Sequence, residues 1–126
     1  MKNEFIPYEQ ALALKELGFD EPCLASWNFY TRELNYNGQP SIFSSADVIQ
    51  LPTFSQAFRW FREKYKLEAI VQKADDFSWY KFTIYFYLSD SKGFVDSYHE
   101  FNTYEEAELA CLKKLIEIVK SNNDTP

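Results

Sequence analysis

One histidine, His99, and two cysteines, Cys23 and Cys111, are all that 126 residues offer to a soft metal ion. The cysteines stand far apart and no zinc spacing exists. So few cysteines also exclude a disulfide scaffold, and apolar neighbours suggest that each packs as a small hydrophobe. Glycine is nearly as scarce. Gly18, Gly38 and Gly93 belong to no GxGxxG and no P-loop, which excludes those phosphate cradles. Asp75-Asp76 and Asp90-Ser91-Lys92-Gly93 lack the twelve-residue calcium pattern and read as solvated turns. No cofactor is expected. The longest apolar run, residues 84–88, is too short to span a bilayer. The opening MKNEFIPYEQ carries charges where a signal peptide needs an apolar run. The expectation is a reduced, cytoplasmic protein without membrane association.

What is abundant is aromatic. Phe, Trp and Tyr make up 19% of the chain, so a few bulky rings fill the core. The net charge is -6 with a pI near 4.8, which disfavours coating a phosphate backbone with the whole surface. The length predicts one domain over residues 1–126, with SNNDTP as a frayed tail over 121–126.

Residues 8–17, YEQALALKEL, read as a helix that starts after Pro7 and stops at Gly18. Leu14 and Phe19 then form the apolar pair of a Schellman cap. CLASWNFY, residues 23–30, reads as a strand. Asn37-Gly38 signals a hairpin, and a short strand reaches over 48–51. Thr53 opens a second helix with apolar positions Phe54, Ala57, Phe58, Phe61 and Tyr65, while Trp60 falls off the stripe. LEAIVQK (67–73), WYKFTIYFYL (79–88) and FVDSYHEF (94–101) follow as strands. Turns at 74–76 and 90–93 separate them, giving an antiparallel meander. Thr103-Tyr104-Glu105-Glu106 is a capping box for the last helix. Its stripe is Tyr104, Ala107, Cys111, Leu115 and Ile118, widened by Leu112, Ile116 and Val119. The predicted fold is α+β in the order α-β(β)-α-β-β-β-α, with helices packed on one face of the sheet.

Three stretches, YEQALALKELGFDEPC, FRWFREKY and FNTYEEAELACLKKLIEIVK, together resemble a family of small uncharacterised proteins of gut anaerobes, their phages and mobile elements. The resemblance implies no activity, cofactor or catalytic residue. It implies an accessory protein rather than a central metabolic enzyme.

Catalytic chemistry finds little to work with. His99 would share a strand face with Val95 and Phe101, as a packed or edge residue. Asp96 and Glu100 share the other face with Phe94 and Tyr98, the wet side of an edge strand rather than an acid–base pair. The expectation is a non-enzymatic protein with no catalytic and no metal residues. Two binding surfaces stand out instead. Alternation in residues 79–88 sends Tyr80, Phe82, Ile84, Phe86 and Leu88 to the core. The opposite face carries Trp79, Lys81, Thr83, Tyr85 and Tyr87. Trp79, Lys81, Tyr85 and Tyr87 are the candidate interaction face, for a protein partner or a homodimer. Cross-strand neighbours such as Tyr98 are the plain alternative occupants. The other candidate is a basic-aromatic patch of Arg59, Trp60, Arg62 and Lys66 on the second helix, which would suit a nucleic acid or nucleotide.

Overall fold

The computed structural model describes residues 4–41, 48–74, 78–88, 91–97 and 99–124. The fold is mixed α+β, in the order α-β-β-β-α-β-β-β-α. The strands form two antiparallel three-stranded sheets rather than one. Contacts gather the chain into two compact units, Met1–Ala57 and Phe58–Pro126.

In the first unit, α1 (Tyr8–Glu16) begins after Pro7, whose extended backbone caps the helix without a side-chain hydrogen bond. It ends as the sequence foretells. Gly18 takes φ 102°, the left-handed region that a side chain disfavours. The Phe19 N–H donates to the Leu14 carbonyl at 2.9 Å, and the Gly18 N–H donates to Lys15 at 3.0 Å. Leu14 and Phe19 are both buried, which completes the Schellman motif.

β1 (Cys23–Asn28) lies between β2 (Glu33–Ser41) and β3 (Val48–Leu51). The β1–β2 turn occupies residues 29–32, not Asn37-Gly38. Asn28 makes it: its Oδ1 accepts from the N–H groups of Tyr30 (2.8 Å) and Thr31 (3.1 Å). Arg32 then closes the turn with φ 57°. Asn37-Gly38 lies within β2, where the register shifts as Cys23 to Ala25 faces Ser41 to Tyr36. The dipeptide marks an irregular strand, a second use of conformational freedom. α1 packs on β3. Tyr8 on that helix stacks on Trp27 at 5.2 Å and meets Phe29 edge-on at 5.5 Å.

α2 (Phe54–Tyr65) starts in the first unit and ends in the second. Thr53 is its N-cap, with Oγ1 accepting from the Gln56 N–H at 3.1 Å. The Gln56 side chain donates to the Pro22 carbonyl at 2.8 Å, which fixes the first turn. Phe54, Ala57 and Phe61 are buried as their spacing requires.

The second unit is the expected meander. β4 (Leu67–Lys73), β5 (Tyr80–Leu88) and β6 (Ser91–Asp96) pair in sequence order. β6 differs from expectation at both ends. Ser91, Lys92 and Gly93 were assigned to a turn, but they pair with Leu88, Tyr87 and Phe86. Beyond Asp96 the ladder breaks. Ser97 still bonds to Phe82, His99 and Glu100 lie outside the ladder, and Phe101 returns to bridge Tyr80. The predicted turns at 75–76 and at Asp90 lie outside the described residues.

α3 (Tyr104–Asp124) packs on β4 and β5. Thr103 Oγ1 accepts from the Glu106 N–H at 3.1 Å, the first half of the expected capping box. Ala107, Cys111, Leu112, Leu115, Ile116 and Val119 are buried; Tyr104, counted with them in the stripe, is exposed and meets Tyr80 edge-on. The helix also runs on through 121–124, where a frayed tail was expected, because four more residues extend the hydrogen-bond ladder. Replacing Thr103 by alanine should cost about 1 kcal/mol of stability. Urea titration followed by circular dichroism measures this, and an unchanged midpoint would show that the cap contributes nothing.

Candidate functional site

The register of the second sheet decides which residues share a face. On β5, Phe82 and Ile84 are buried and Tyr80 and Phe86 half-buried, on the side that α3 covers. The Leu88 side chain lies outside the described set. The opposite face carries Lys81, Thr83, Tyr85 and Tyr87. Their cross-strand partners share it: Glu68 beside Tyr85, Ile70 beside Thr83, Gln72 beside Lys81 on β4. On β6 the partners are Asp96, Phe94 and Lys92, beside Thr83, Tyr85 and Tyr87.

This outer face holds four large apolar groups in water. Tyr87 is 63% exposed, Phe94 61%, Tyr85 41% and Ile70 40%. The Tyr85 and Phe94 rings lie 6.1 Å apart, tilted at 50°. Phe94 and Ile70 were missed as members of the site. Both are their strands' contribution to the Tyr85 side of the pleat, and only register reveals that. Trp79, one of the expected residues, precedes β5 and is half-buried, with its carbonyl accepting from the Ala74 N–H. Lys81 is also half-buried, toward the same end. Thr83 departs from the expected amphipathic row. It is 5% exposed, and its hydroxyl donates to Asp96 Oδ1 at 2.6 Å. The face is therefore closed at Thr83 and open at the Tyr85–Tyr87 end. Tyr98, the suggested cross-strand cover, lies outside the described residues.

The second candidate, on α2, changes character. Arg59, Arg62 and Lys66 are exposed, but Trp60 is not off the stripe: it is 5% exposed. It follows Ala57 by three residues, so it borders the buried side of the helix. Its ring meets Phe61 at 5.1 Å and Tyr65 at 5.4 Å, with Lys64 Nζ 5.0 Å over it. A ring held this way presents no open face for stacking a base.

His99 lies outside the strands, exposed, rather than on a strand face beside Val95. Among the described residues no three His, Cys, Asp or Glu side chains could hold a metal ion together. Burial is the main cause that pushes both thiols up to about 12, Cys23 beside Glu21 and Cys111 beside Glu108. Such thiols are packing groups rather than nucleophiles at neutral pH.

One carboxyl on α3 is strained electrostatically. Burial first, and then the like charge of Glu105, push Glu108 above the ordinary carboxylate range. The folded chain thus holds that proton more tightly than the unfolded chain. The favourable contribution is present in acid and is lost as pH rises through the raised value. Glu108→Gln should therefore be more stable than wild type at pH 7. The gap should close below the unfolded value of about 4.3. Denaturant curves at neutral and acid pH measure this, and equal stabilities at pH 7 would contradict it.

No helix among the described residues is long and apolar enough to cross a membrane. Comparison with protein families, characterised proteins and solved structures finds no match to this chain.

Proposed function

We propose that the outer face of the β4-β5-β6 sheet is a protein-interaction surface and that its occupant is a second copy of this chain. The observation that carries the reading is the gathering of Ile70, Tyr85, Tyr87 and Phe94 on one face, each at least 40% exposed. Water gains nothing from wetting them, whereas each aromatic ring offers about 150–250 Å² to a partner. Tyr is also suited to interfaces, since it adds area at a small cost in side-chain entropy.

Self-complementarity favours a second copy. A two-fold axis lying along the boundary between β5 and β6 relates each strand to the other in the opposing copy. Tyr85 of one copy then faces Phe94 of the other, a ring against a ring. Tyr87 faces Lys92, a ring against a cation. The face is three strands wide, at the small end for stable interfaces, so micromolar affinity is expected. The role is non-enzymatic. The resemblance to proteins of phages and mobile elements of gut anaerobes accords with an accessory part in such an element.

Analytical ultracentrifugation over a concentration series tests this. Wild type should move from the 14.9 kDa monomer toward a dimer as concentration rises. Tyr87→Asp and Phe94→Asp should each remain monomeric with unchanged circular dichroism. A wild-type monomer at the highest concentration, or a dimer that both variants retain, would overturn the proposal. Binding of a single-stranded oligonucleotide at low salt, lost in an Arg59→Glu/Arg62→Glu variant, would instead favour a nucleic-acid role.

A further inference from the structure

We infer that a groove in the second unit, between α3 and the end of β6, binds a small aromatic monocarboxylate. The groove arises from a mismatch of widths. α3 covers β4 and β5, and the inner side of the sheet beyond β5 has no helix packed on it to the same extent. The space left is about 310 Å³, the lower end of what small-molecule sites enclose.

Its floor is apolar. Phe82 and Phe101 lie nearly parallel, 6.1 Å apart and 27° from coplanar, with Val95 beside them. Phe101 is held in this place by its bridge to Tyr80. One face of α3 forms the wall: Ala110, Lys113, Lys114 and Glu117 follow the spacing of successive turns. Ala110 lines the groove together with the rings, and its small side chain takes up little of the space.

The rim sets the charge of the ligand. Lys114 pairs with Glu117 at 3.2 Å, and Asp96 accepts from Thr83. Lys113 and His99 line the same groove and have no ion-pair partner among the described residues. One ammonium without an ion-pair partner among the described residues, beside an apolar slot, matches one carboxylate on one flat ring. The ring would extend the Phe82–Phe101 pair, and the carboxylate would meet Lys113 and His99. A polyanion would instead meet Glu117 and be repelled.

The probe is 2-naphthoate, followed by amide chemical shifts in the full chain. Shifts should centre on residues 95–101 and 110–114. Lys113→Glu should weaken binding about tenfold, and the neutral 2-naphthamide should bind about tenfold more weakly than the acid. Ala110→Leu, which keeps a strong helix former on α3, should abolish binding by filling the slot. Tyr87→Asp should leave binding unchanged, which separates this site from the outer face and its dimer. Three results would each overturn the inference: no shifts at millimolar probe, equal affinity for the amide, or binding lost in Tyr87→Asp but retained in Ala110→Leu.

Discussion

Replacing Phe61 by alanine will lower the free energy of unfolding by about 3–5 kcal/mol. Phe61 is fully buried on α2, and its ring meets both Trp60 and Tyr65. Deleting it removes the transfer free energy of a phenyl group and leaves a void that neighbouring rings fill poorly. Total stabilities of small domains are about 5–15 kcal/mol, so this one change takes a large share. Phe61→Leu keeps most of the volume and should cost far less. Urea unfolding of both variants, followed by circular dichroism, gives the comparison. If alanine cost less than about 1 kcal/mol, the site would have to collapse freely, contrary to the close packing of the three rings.

Gly93→Val should cost about 1–3 kcal/mol, although valine is the better strand former. A Cβ at Gly93 would stand 2.7 Å from Phe86 Cζ, with Cε1 and Cε2 at 3.2 and 3.3 Å. Gly93 and Phe86 are direct cross-strand partners, and the ring lies over the glycine. Valine therefore expels Phe86 from its place beneath β6. The strand that would shift also carries Lys92 and Phe94, so the proposed self-association should weaken along with stability. A double variant, Gly93→Val with Phe86→Ala, should cost less than the sum of its parts, since the clash is gone. Strict additivity, or a valine variant as stable as wild type, would show that the ring moves aside without cost.

The readable parts of this fold were those encoded locally. Gly18 with Leu14 and Phe19 specifies a helix end within six residues, and the backbone follows it. Thr103 and Glu106 do the same for the start of α3. LEAIVQK became β4 without a residue's difference. What escaped depends on partners distant in sequence. Asn37-Gly38 is a sound hairpin signal, yet the Asn28 side chain reached the turn first and left the dipeptide to a shift in register. Trp60 stands beside charged residues, but its ring is large enough to fold into the buried side of its helix. Alternation separated the two faces of β5 but could not show that Thr83 is closed off by Asp96. Nor could it show that Phe94 stands beside Tyr85. Those facts reside in the pairing of strands. The groove beside α3 depends further still, on where a helix stops covering a sheet.

Both native thiols lie inside the protein with their ionisation pushed up to about 12. Maleimides and similar reagents attack the thiolate, so at neutral pH the folded chain is silent toward them. A cysteine placed at an exposed position becomes the one chemical address on the molecule, with no need to remove Cys23 or Cys111 and disturb the core. Position 72, exposed on β4 at the Lys81 end of the outer face and away from Tyr85 and Tyr87, is such an address. A dye or spin label attached there reports the approach of a second chain as quenching or dipolar broadening, and a label in each compact unit makes the protein its own ruler.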